Sequence, residues 1–217
     1  MKHSLLFAVL LGAAALIVGC GLFGTTADWF PMTVGSTWHY RTTTIASFGG
    51  MVDTTYAGQF VQVTGIAQTG AGDEVTVFSH TESTFIEVPQ ETTIVTTHTS
   101  YVRETDGAIL GYDDLNDTEP DTALALPLEQ GKTWTMWSSG DTSVTGTVVA
   151  KENVSVYAGT FTDCWKVEMR MMIGGTSQST YFWYADGVGR VRNLFDINQT
   201  GYMMSMHTEL HHSDIKK

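Results

Sequence analysis

The chain has 217 residues, 42% of them hydrophobic, and its formal net charge at pH 7 is −12 from 23 acidic and 11 basic side chains. A chain this acidic is a poor match for nucleic acid, whose phosphates require basic patches, and for electrostatic docking on anionic lipid. The length suits one large β domain or two small fused units.

The first residues are typical of an export signal. A short basic start, Met1-Lys2-His3, precedes an uncharged apolar run at 4–18 that leads to Gly19-Cys20. A basic start, a short apolar core and a small-residue exit are the parts of a secretory signal. The run is shorter than the ~20 apolar residues that a membrane-spanning helix needs. Residues 1–19 are therefore predicted to be a signal peptide.

The end of this signal, Ile17-Val18-Gly19-Cys20, resembles the lipobox of bacterial lipoproteins. The resemblance implies that a diacylglyceryl group joins the Cys20 thiol, that cleavage follows Gly19, and that the new amine is acylated. Several acyl chains anchor a protein stably, because each buried CH₂ contributes about 0.8 kcal/mol. Cys20 is thus the predicted lipid attachment site, with 20–28 as a tether. An uncleaved membrane helix and plain secretion are the alternatives.

The position after the lipidated cysteine bears on localisation. Gly21 stands there, whereas an Asp would indicate inner-membrane retention in a Gram-negative cell. By resemblance to lipoprotein sorting rules, we expect a protein of the bacterial cell envelope, lipid-anchored in the outer membrane. The lipid anchor is then the predicted contact with the membrane.

From Trp38 onward the sequence predicts strand after strand. Thr, Val, Tyr, Trp and Phe alternate with polar residues, Gly, Asp and Asn mark the breaks, and no helical period is sustained. The expected fold is all-β and antiparallel, a curved sheet, half-barrel or sandwich built from two similar units. The predicted strands are 37–46, 52–66, 74–80, 83–88, 92–104, 107–112, 132–138, 142–151, 153–158, 160–172, 177–185, 188–195 and 199–211.

The two units are predicted from a weak internal repeat. Phe30 to Tyr40 reads Phe-Pro-Met-Thr-Val-Gly-Ser-Thr-Trp-His-Tyr, and Leu126 to Met136 reads Leu-Pro-Leu-Glu-Gln-Gly-Lys-Thr-Trp-Thr-Met, an offset of 96 residues. Pro fixes an extended approach, Gly allows a turn, and Trp opens a strand with a large apolar side chain. Chance similarity in a Thr-rich chain is the alternative.

A second pair of similar segments supports the repeat and helps to set its bounds. Tyr101-Val-Arg-Glu-Thr-Asp-Gly-Ala108 is similar to Tyr181-Phe-Trp-Tyr-Ala-Asp-Gly-Val188, and each Asp-Gly pair signals a short hairpin. The acidic, Pro-containing segment 113–121 is expected to be an exposed loop between the units. The prediction is a β domain at 29–212 with pseudo-repeats at about 29–115 and 125–212, followed by a tail at 213–217.

Beyond the lipobox, several motifs resemble those of a broad group of uncharacterised bacterial envelope proteins. The matching segments are Trp29-Phe-Pro-Met-x-x-Gly-x-x-Trp-x-Tyr40, Tyr157-Ala-Gly-Thr-Phe161 and Tyr184-Ala-Asp-Gly-Val-Gly-Arg-Val191. That group has motifs of the form Phe-Pro-Leu-x-x-Gly-x-x-Trp, Gly-x-Phe and Gly-x-Gly-x-Val. The resemblance implies a β-rich, curved-sheet envelope domain of unknown function, and it implies no activity.

One candidate metal site stands near the end of the sequence. On a strand, His207, Glu209 and His211 would point the same way, about 6–7 Å apart. Two imidazoles and a carboxylate are plausible Zn²⁺ ligands. The alternative is a polar outer face, and no spaced His or Cys cluster supports the metal. No bound metal and no cofactor are therefore expected.

Cys164 and the acidic loop are the other candidates for chemistry. Once Cys20 carries lipid, Cys164 is the remaining thiol. It is predicted to be an unreactive, half-buried structural residue and not a catalytic nucleophile. The carboxylates of 113–121 would suit Ca²⁺, but their spacing does not match an EF-hand loop, so a solvated loop is expected. No catalytic motif of a hydrolase, metalloprotease or nucleotide-binding protein is present.

The aromatic and Met content therefore carries the functional prediction. These side chains either fill the core of a curved sheet or line an apolar cleft for acyl chains or an apolar peptide. The leading hypothesis is a non-enzymatic envelope binding or interaction module with an envelope protein or apolar ligand as partner. A carrier of lipid is the alternative, and a metal-dependent hydrolase is the least favoured. The residues in question are Trp29, Phe30, Trp38, Trp134, Trp137, Trp165, Met169, Met171, Phe182, Trp183, Met204 and Met206.

Overall fold

The computed structural model describes residues 27–86 and 92–217, so Cys20, the signal peptide and most of the tether lie outside the described residues. In these two ranges no helix is long or apolar enough to span a membrane. The strands are β1 (Thr37–Phe48), β2 (Met51–Gln68), β3 (Glu74–Ile86), β4 (Thr92–Glu104), β5 (Ala108–Tyr112), β6 (Asp121–Ala125), β7 (Thr133–Ser139), β8 (Thr142–Val156), β9 (Gly159–Ile173), β10 (Thr176–Ala185), β11 (Gly189–Gln199) and β12 (Tyr202–Asp214).

All twelve strands belong to one antiparallel sheet with the order β6-β5-β4-β3-β2-β1-β12-β11-β10-β9-β8-β7. Each half, β1–β6 and β7–β12, is a meander of sequential hairpins, and the pairing of β1 with β12 joins the halves. The sheet curls until its two edge strands meet, where the indole Nε1 of Trp134 donates to Thr122 O at 3.0 Å. The predicted all-β, antiparallel, curved-sheet fold is confirmed.

Three details of the strand prediction were wrong. The segment 121–125 is a strand, β6, although no strand was predicted there, because its short apolar run follows the Pro-containing acidic loop. Strands β3 and β8 are each continuous where two shorter strands were predicted. In β8 the polar residues that suggested a break lie at register shifts between Val148 and Ala150 and between Glu152 and Val154. A β-bulge bends a strand without ending it.

The repeated Pro-Gly-Trp motif forms the same turn in both halves. In the first half Ser36 N donates to Thr33 O, and Gly35 N donates to Val63 O. The second half repeats both bonds, from Lys132 N to Glu129 O and from Gly131 N to Val148 O, with the turn residues offset by 96 and the acceptor Val148 by 85. The two glycines have positive φ angles of 90° and 85°, a region that glycine enters without a Cβ penalty.

Hydrogen bonds at the Asp-Gly turns also connect the two halves. The turn before β5 lies against the Pro segment of the second half, since Leu126 N donates to Gly107 O at 2.7 Å. The turn before β11 lies against the Pro segment of the first half, since Gly187 N donates to Asp28 O at 2.8 Å. Each unit thus needs the other to satisfy its backbone groups, which favours one cooperative sheet over two independent ones.

The buried core lies at the end of the sheet where these turns meet. Strand residues near the turns are almost inaccessible, including Val63, Val148, Val167, Val191 and Leu210, each with 0% exposure. The hairpin ends on the opposite side expose apolar side chains, such as Phe48 at 67% and Met51 at 74%. The sheet therefore has one packed end and one end whose apolar side chains face solvent.

The hairpin of β8 and β9 folds back over the outer face of the sheet. Its turn contacts β12, where Ala158 N donates to Leu210 O at 3.0 Å. The fold-back places a second apolar layer on that face, with Val154 and Cys164 both buried. Asp163 adopts a positive φ of 56° beside Cys164, which alters the simple alternation of faces along β9. Cys164 and Val167 are both at 0% exposure.

Candidate functional site

A cavity of about 410 Å³ lies on the concave face of the sheet, at its packed end. Both halves and the segment before β1 contribute to its wall. The lining side chains are mostly aromatic or apolar, with a small polar group among them. They are Phe30, Pro31, Trp38, Tyr40, Gln59, Val61, Phe78, His80, His98, Ser100, Met169, Phe182, Tyr184, Gly189 and Arg190.

An aromatic cluster forms one wall of the cavity. The ring of Phe78 lies 5.5 Å from the ring of Phe30 in a T-shaped arrangement and 6.2 Å from the ring of Trp38. Trp38 is 4% exposed, and its indole Nε1 donates to Val188 O at 2.7 Å, so its only polar atom is satisfied. The wall is held rigidly because it joins β1, β3 and the turn before β11.

The segment before β1 closes one end of this wall. Asp28 N donates to the carboxylate Oδ1 of Asp186 at 2.7 Å, which fixes the segment to the turn before β11. Gly189 allows the segment to approach, because a Cβ at that position would lie 3.2 Å from Pro31 Cδ. Burial, more than the neighbouring Asp186, raises the pKa of Asp28, while the backbone N–H of Phe30 lowers it. The chain that follows the predicted tether therefore forms part of the cavity.

Arg190 brings the one full positive charge among the described lining residues. A register shift between Trp183 and Tyr184 leaves one extra residue in β11 and places Arg190 opposite Tyr184. The guanidinium carbon lies 4.5 Å from the centre of the Tyr40 ring, and Nη2 donates to Gln59 Oε1 at 2.7 Å. Tyr40 in turn donates its hydroxyl to Arg190 O at 2.9 Å.

The two tyrosines beside Arg190 keep their protons at neutral pH. Burial raises the pKa of Tyr184 to about 12, and it also raises the pKa of Tyr40, although Arg190 acts in the opposite direction on both. Burial disfavours the charged phenolate, which is why the pKa rises. The Tyr184 hydroxyl can consequently act as a hydrogen-bond donor in the cavity.

A histidine pair lies where the cavity reaches the surface. The rings of His80 and His98 stack with centres 4.6 Å apart, and His80 Nε2 lies 2.8 Å from Ser100 Oγ. Burial, with smaller contributions from His98 and Arg190, lowers the pKa of His80 from 6.5 to about 4. Since a neutral imidazole costs less to bury than a charged one, His80 is neutral at pH 7.

The structure assigns separate partners to the three candidate metal ligands. His207 Nε2 lies 2.8 Å from Ser205 Oγ, Glu209 lies 3.8 Å from Arg192 Nε, and the His211 ring lies 5.9 Å from a tyrosine ring. Within residues 27–86 and 92–217, no group of three His, Cys, Asp or Glu side chains is arranged to hold a metal ion. This outer face carries ion pairs and aromatic contacts.

The contacts of Cys164 and of the acidic loop indicate structural roles. The Cys164 thiol is fully buried, and Sγ lies 3.7 Å from Phe161 O. Burial, with smaller contributions from Asp163 and Glu152, raises the pKa of this thiol to about 11, which disfavours the nucleophilic thiolate. In the acidic loop Asp114 Oδ1 accepts from Asn116 N at 2.5 Å, an interaction typical of a turn.

The aromatic and Met residues named from the sequence divide between the cavity and other places. Trp38, Phe30, Phe182 and Met169 line the cavity. Trp183 is buried on the other face, where Lys166 and Arg192 lie over its ring and Glu152 accepts from its Nε1. Trp137 and Met171 are exposed, at 41% and 43%.

Sequence reasoning missed the polar group of the cavity. The members that it did not single out are Tyr40, Gln59, His80, His98 and Arg190. One local signal was available, since Arg190 interrupts an apolar and glycine-rich segment directly after an Asp-Gly turn. This group joins β1, β2, β3 and β4 to β11, which is distant from them in the sequence.

One family model matches part of the chain. Residues 109–210 match the family model described as DUF3108-like. No curated protein sequence matches the chain significantly.

Two solved structures are similar to the chain. One is described as an exported protein with a YmcC-like fold from Bacteroides fragilis, with 17% identity and a TM-score of 0.43 over 87% of this chain and 99% of that one. The other is described as a lipoprotein from Parabacteroides distasonis, with 14% identity and a TM-score of 0.41 over the same shares.

Proposed function

We propose that this protein is a lipid-anchored lipoprotein of the bacterial envelope, in the outer membrane, whose curved sheet binds an apolar ligand without catalysis. The observation that carries the proposal is the 410 Å³ cavity on the concave face. Its volume falls within the ~300–1,000 Å³ range typical of small-molecule sites, and its lining combines many apolar groups with a few polar ones.

The alternative, a fully packed interior, fits the structure less well. A concave surface lined by Trp and Met favours a carrier over a purely structural sheet, and Trp38 and Met169 both line the cavity. Met adapts to ligands of varied shape, while the aromatic rings give a large apolar area at low entropic cost. The binding hypothesis and the carrier hypothesis thereby converge on one site.

The placement of the predicted tether agrees with this function. The first described residues, 27–31, run directly onto the cavity wall, and Asp28 is fixed to Asp186. A lipid on Cys20 would therefore hold the cavity end of the sheet close to the membrane, within the reach of a short linker. An apolar ligand could then pass between the bilayer and the cavity over a short aqueous distance.

A second candidate function is supported by the other end of the sheet. Phe48, Met51 and Val52 expose 67%, 74% and 68% of their surfaces at the β1–β2 hairpin. Contiguous exposed apolar groups mark interaction sites on soluble domains. An envelope protein that docks on this hairpin is the corresponding partner.

The test of the leading proposal uses the full chain isolated from bacterial membranes in a steroidal detergent. Intact-mass spectrometry would measure the N-terminus and any co-purified small molecule. We expect loss of residues 1–19, added acyl mass on Cys20, and a reproducible apolar ligand. An unmodified Cys20 would contradict the lipoprotein assignment.

A matched pair of variants locates the ligand. Met169→Trp should fill the cavity and remove the bound ligand, whereas Met171→Trp, two residues along the same face of β9 and outside the cavity, should retain it. Equal ligand content in both variants would place the ligand elsewhere and contradict the carrier proposal.

A further inference from the structure

We propose that the ligand of this cavity is a single-chain amphiphile with one anionic headgroup, a fatty carboxylate, whose carboxylate binds Arg190 and whose chain lies among the aromatic side chains. This inference rests on the proposed function, because it specifies the ligand of the same cavity. It is carried by the position of one guanidinium, the one full charge among the described lining residues of a mostly apolar cavity.

Arg190 has no counter-ion in the part of the chain that the structure describes. The chain has 23 acidic side chains, yet no described carboxylate oxygen lies within 4.0 Å of the Arg190 guanidinium. Arg103, Arg170 and Arg192 each have a carboxylate partner. Arg41 has none among these residues, but it is exposed on the outer face, where water solvates its charge. A cation held in a protein wall is stabilised when an anion accompanies it.

The orientation of the guanidinium leaves hydrogen-bond donors free for such an anion. The guanidinium carbon lies 4.5 Å from the centre of the Tyr40 ring, and Gln59 accepts a hydrogen bond from Nη2. The remaining N–H groups lie in the guanidinium plane, where their fork matches the two oxygens of a carboxylate. The protonated hydroxyl of Tyr184, in the same wall, is a further donor.

The charged groups that line the cavity suit a ligand with one negative charge. The described lining contains Arg190 and no Asp or Glu, and His80 is neutral at pH 7 because its pKa is lowered to about 4. A ligand with one negative charge is thus neutralised by Arg190, whereas an amine would meet a like charge. Discrimination by like-charge repulsion is a general source of specificity.

The size of the cavity limits the apolar part to one chain. A volume of 410 Å³ lies at the low end of the ~300–1,000 Å³ range of small-molecule sites, so the two chains of a diacyl lipid exceed it. Phe30, Phe78 and Phe182 line the cavity with apolar ring surface that suits a methylene chain.

The test measures binding of four probes to the full chain in the steroidal detergent by native mass spectrometry. The probes are dodecanoate, dodecanol, dodecylamine and acetate. We expect dodecanoate to bind about ten to a hundred times more tightly than dodecanol, as charge-assisted hydrogen bonds to carboxylates predict, and acetate and dodecylamine to bind weakly or not at all.

Variants then assign the selectivity to Arg190. Arg190→Gln should lower dodecanoate affinity to that of dodecanol and leave dodecanol binding unchanged. Arg170→Gln removes the same charge from an exposed site on β9 and should change neither. If Arg190→Gln does not fold, the preference of the unaltered protein for dodecanoate over dodecylamine still decides the question.

The outcomes separate the two proposals. Equal binding of the three long-chain probes, or retained selectivity in Arg190→Gln, would overturn the anionic ligand and leave the apolar cavity standing. Acetate binding as tight as dodecanoate binding would also overturn it, since the chain would then contribute nothing. Failure of every long-chain probe to bind would overturn the ligand inference and the carrier proposal together.

Discussion

Trp38 and Trp134 occupy the same position in the two repeated motifs, yet they serve different parts of the molecule. Both follow the same Gly turn, and both donate an indole hydrogen bond to a backbone carbonyl. Trp38 is 4% exposed and forms the cavity wall, whereas Trp134 is only partly buried and lies at the edge of the sheet. The strand that carries each one explains the difference, because β1 is central and β7 is an edge strand.

The residues that face the two tryptophans across the sheet also differ. Trp38 is paired with Val61 on β2, and Trp134 is paired with Gly146 on β8. A Cβ on Gly146 would lie 2.2 Å from the Trp134 ring, so the indole lies directly on the backbone of β8. Opposite Val61 no such close approach is available, and Trp38 packs against Phe78 instead. The residue opposite each tryptophan, Val61 or Gly146, thus decides whether the indole can lie on the neighbouring backbone.

The largest effect is expected when the two tryptophans are truncated. Trp38→Ala should lower the free energy of unfolding by about 3–5 kcal/mol, as for other buried aromatic side chains. Trp134→Ala should cost about half as much or less, because part of its surface already faces solvent. Urea titrations of the full chain measure both. Equal losses would show that the two halves are energetically equivalent in spite of their positions.

The contact of Trp134 with the β8 backbone is tested by Gly146→Ala. The added methyl group would occupy the space of the indole ring, so we expect a loss of about 1–3 kcal/mol in unfolding free energy, typical of overpacking. Gly111→Ala is the control, since a Cβ there meets no atom within 4 Å. A loss at Gly146 no larger than that at Gly111 would argue against the close contact.

Replacing the glycine of the repeated turn should lower the unfolding free energy equally in the two halves. Gly35→Ala and Gly131→Ala each place a Cβ at a positive φ, so each should cost about 1–2 kcal/mol in unfolding free energy. Thermal or urea unfolding curves of the two variants measure both losses. A large cost at one site with none at the other would mean that the repeated motif does not form equivalent turns.

The pH dependence of stability gives a prediction that belongs to the first half alone. The pKa of His80 is lowered in the fold to about 4, while the unfolded chain keeps a value near 6.5. Between these values the unfolded state binds a proton that the folded state does not, so stability falls as pH decreases from 6.5 to 4. His80→Gln should remove this part of the pH dependence, measured as Tm across the range.

The control for that experiment is His212→Gln, which removes an exposed imidazole from β12. It should retain the pH dependence of the unaltered protein. An unchanged slope in His80→Gln would show that the buried imidazole does not titrate between these pH values.

Much of the fold was predictable from local pattern, and the site was predictable only in part. Alternation and Asp-Gly or Gly-Gly breaks located eleven of the twelve strands, because both act over a few residues. The missed strand, β6, pairs only with β5, through five residues that carry no alternating pattern of their own. Trp38 and Phe182 were noted as candidates for an apolar cleft, and both line the cavity.

The polar group of the cavity depended on features that no local pattern reports. Arg190 reaches the cavity through a register shift in β11, and Gln59, which accepts its hydrogen bond, lies 131 residues away in the sequence. A bulge changes the face on which a side chain lies, and its position depends on the partner strand. The place of Arg190 in the cavity therefore follows only from its neighbours in the fold.

Taken alone, the sequence determined that the chain is all-β, that Gly turns precede two strands with a leading Trp, and that the net charge is acidic. These properties follow from side-chain alternation, backbone conformation and charge, each of which acts locally or by simple sum. Only the tertiary structure decided which Trp forms the cavity wall and which lies on a glycine at the edge. That choice depends on strand order and curvature, because both are set by pairings between residues far apart in the chain.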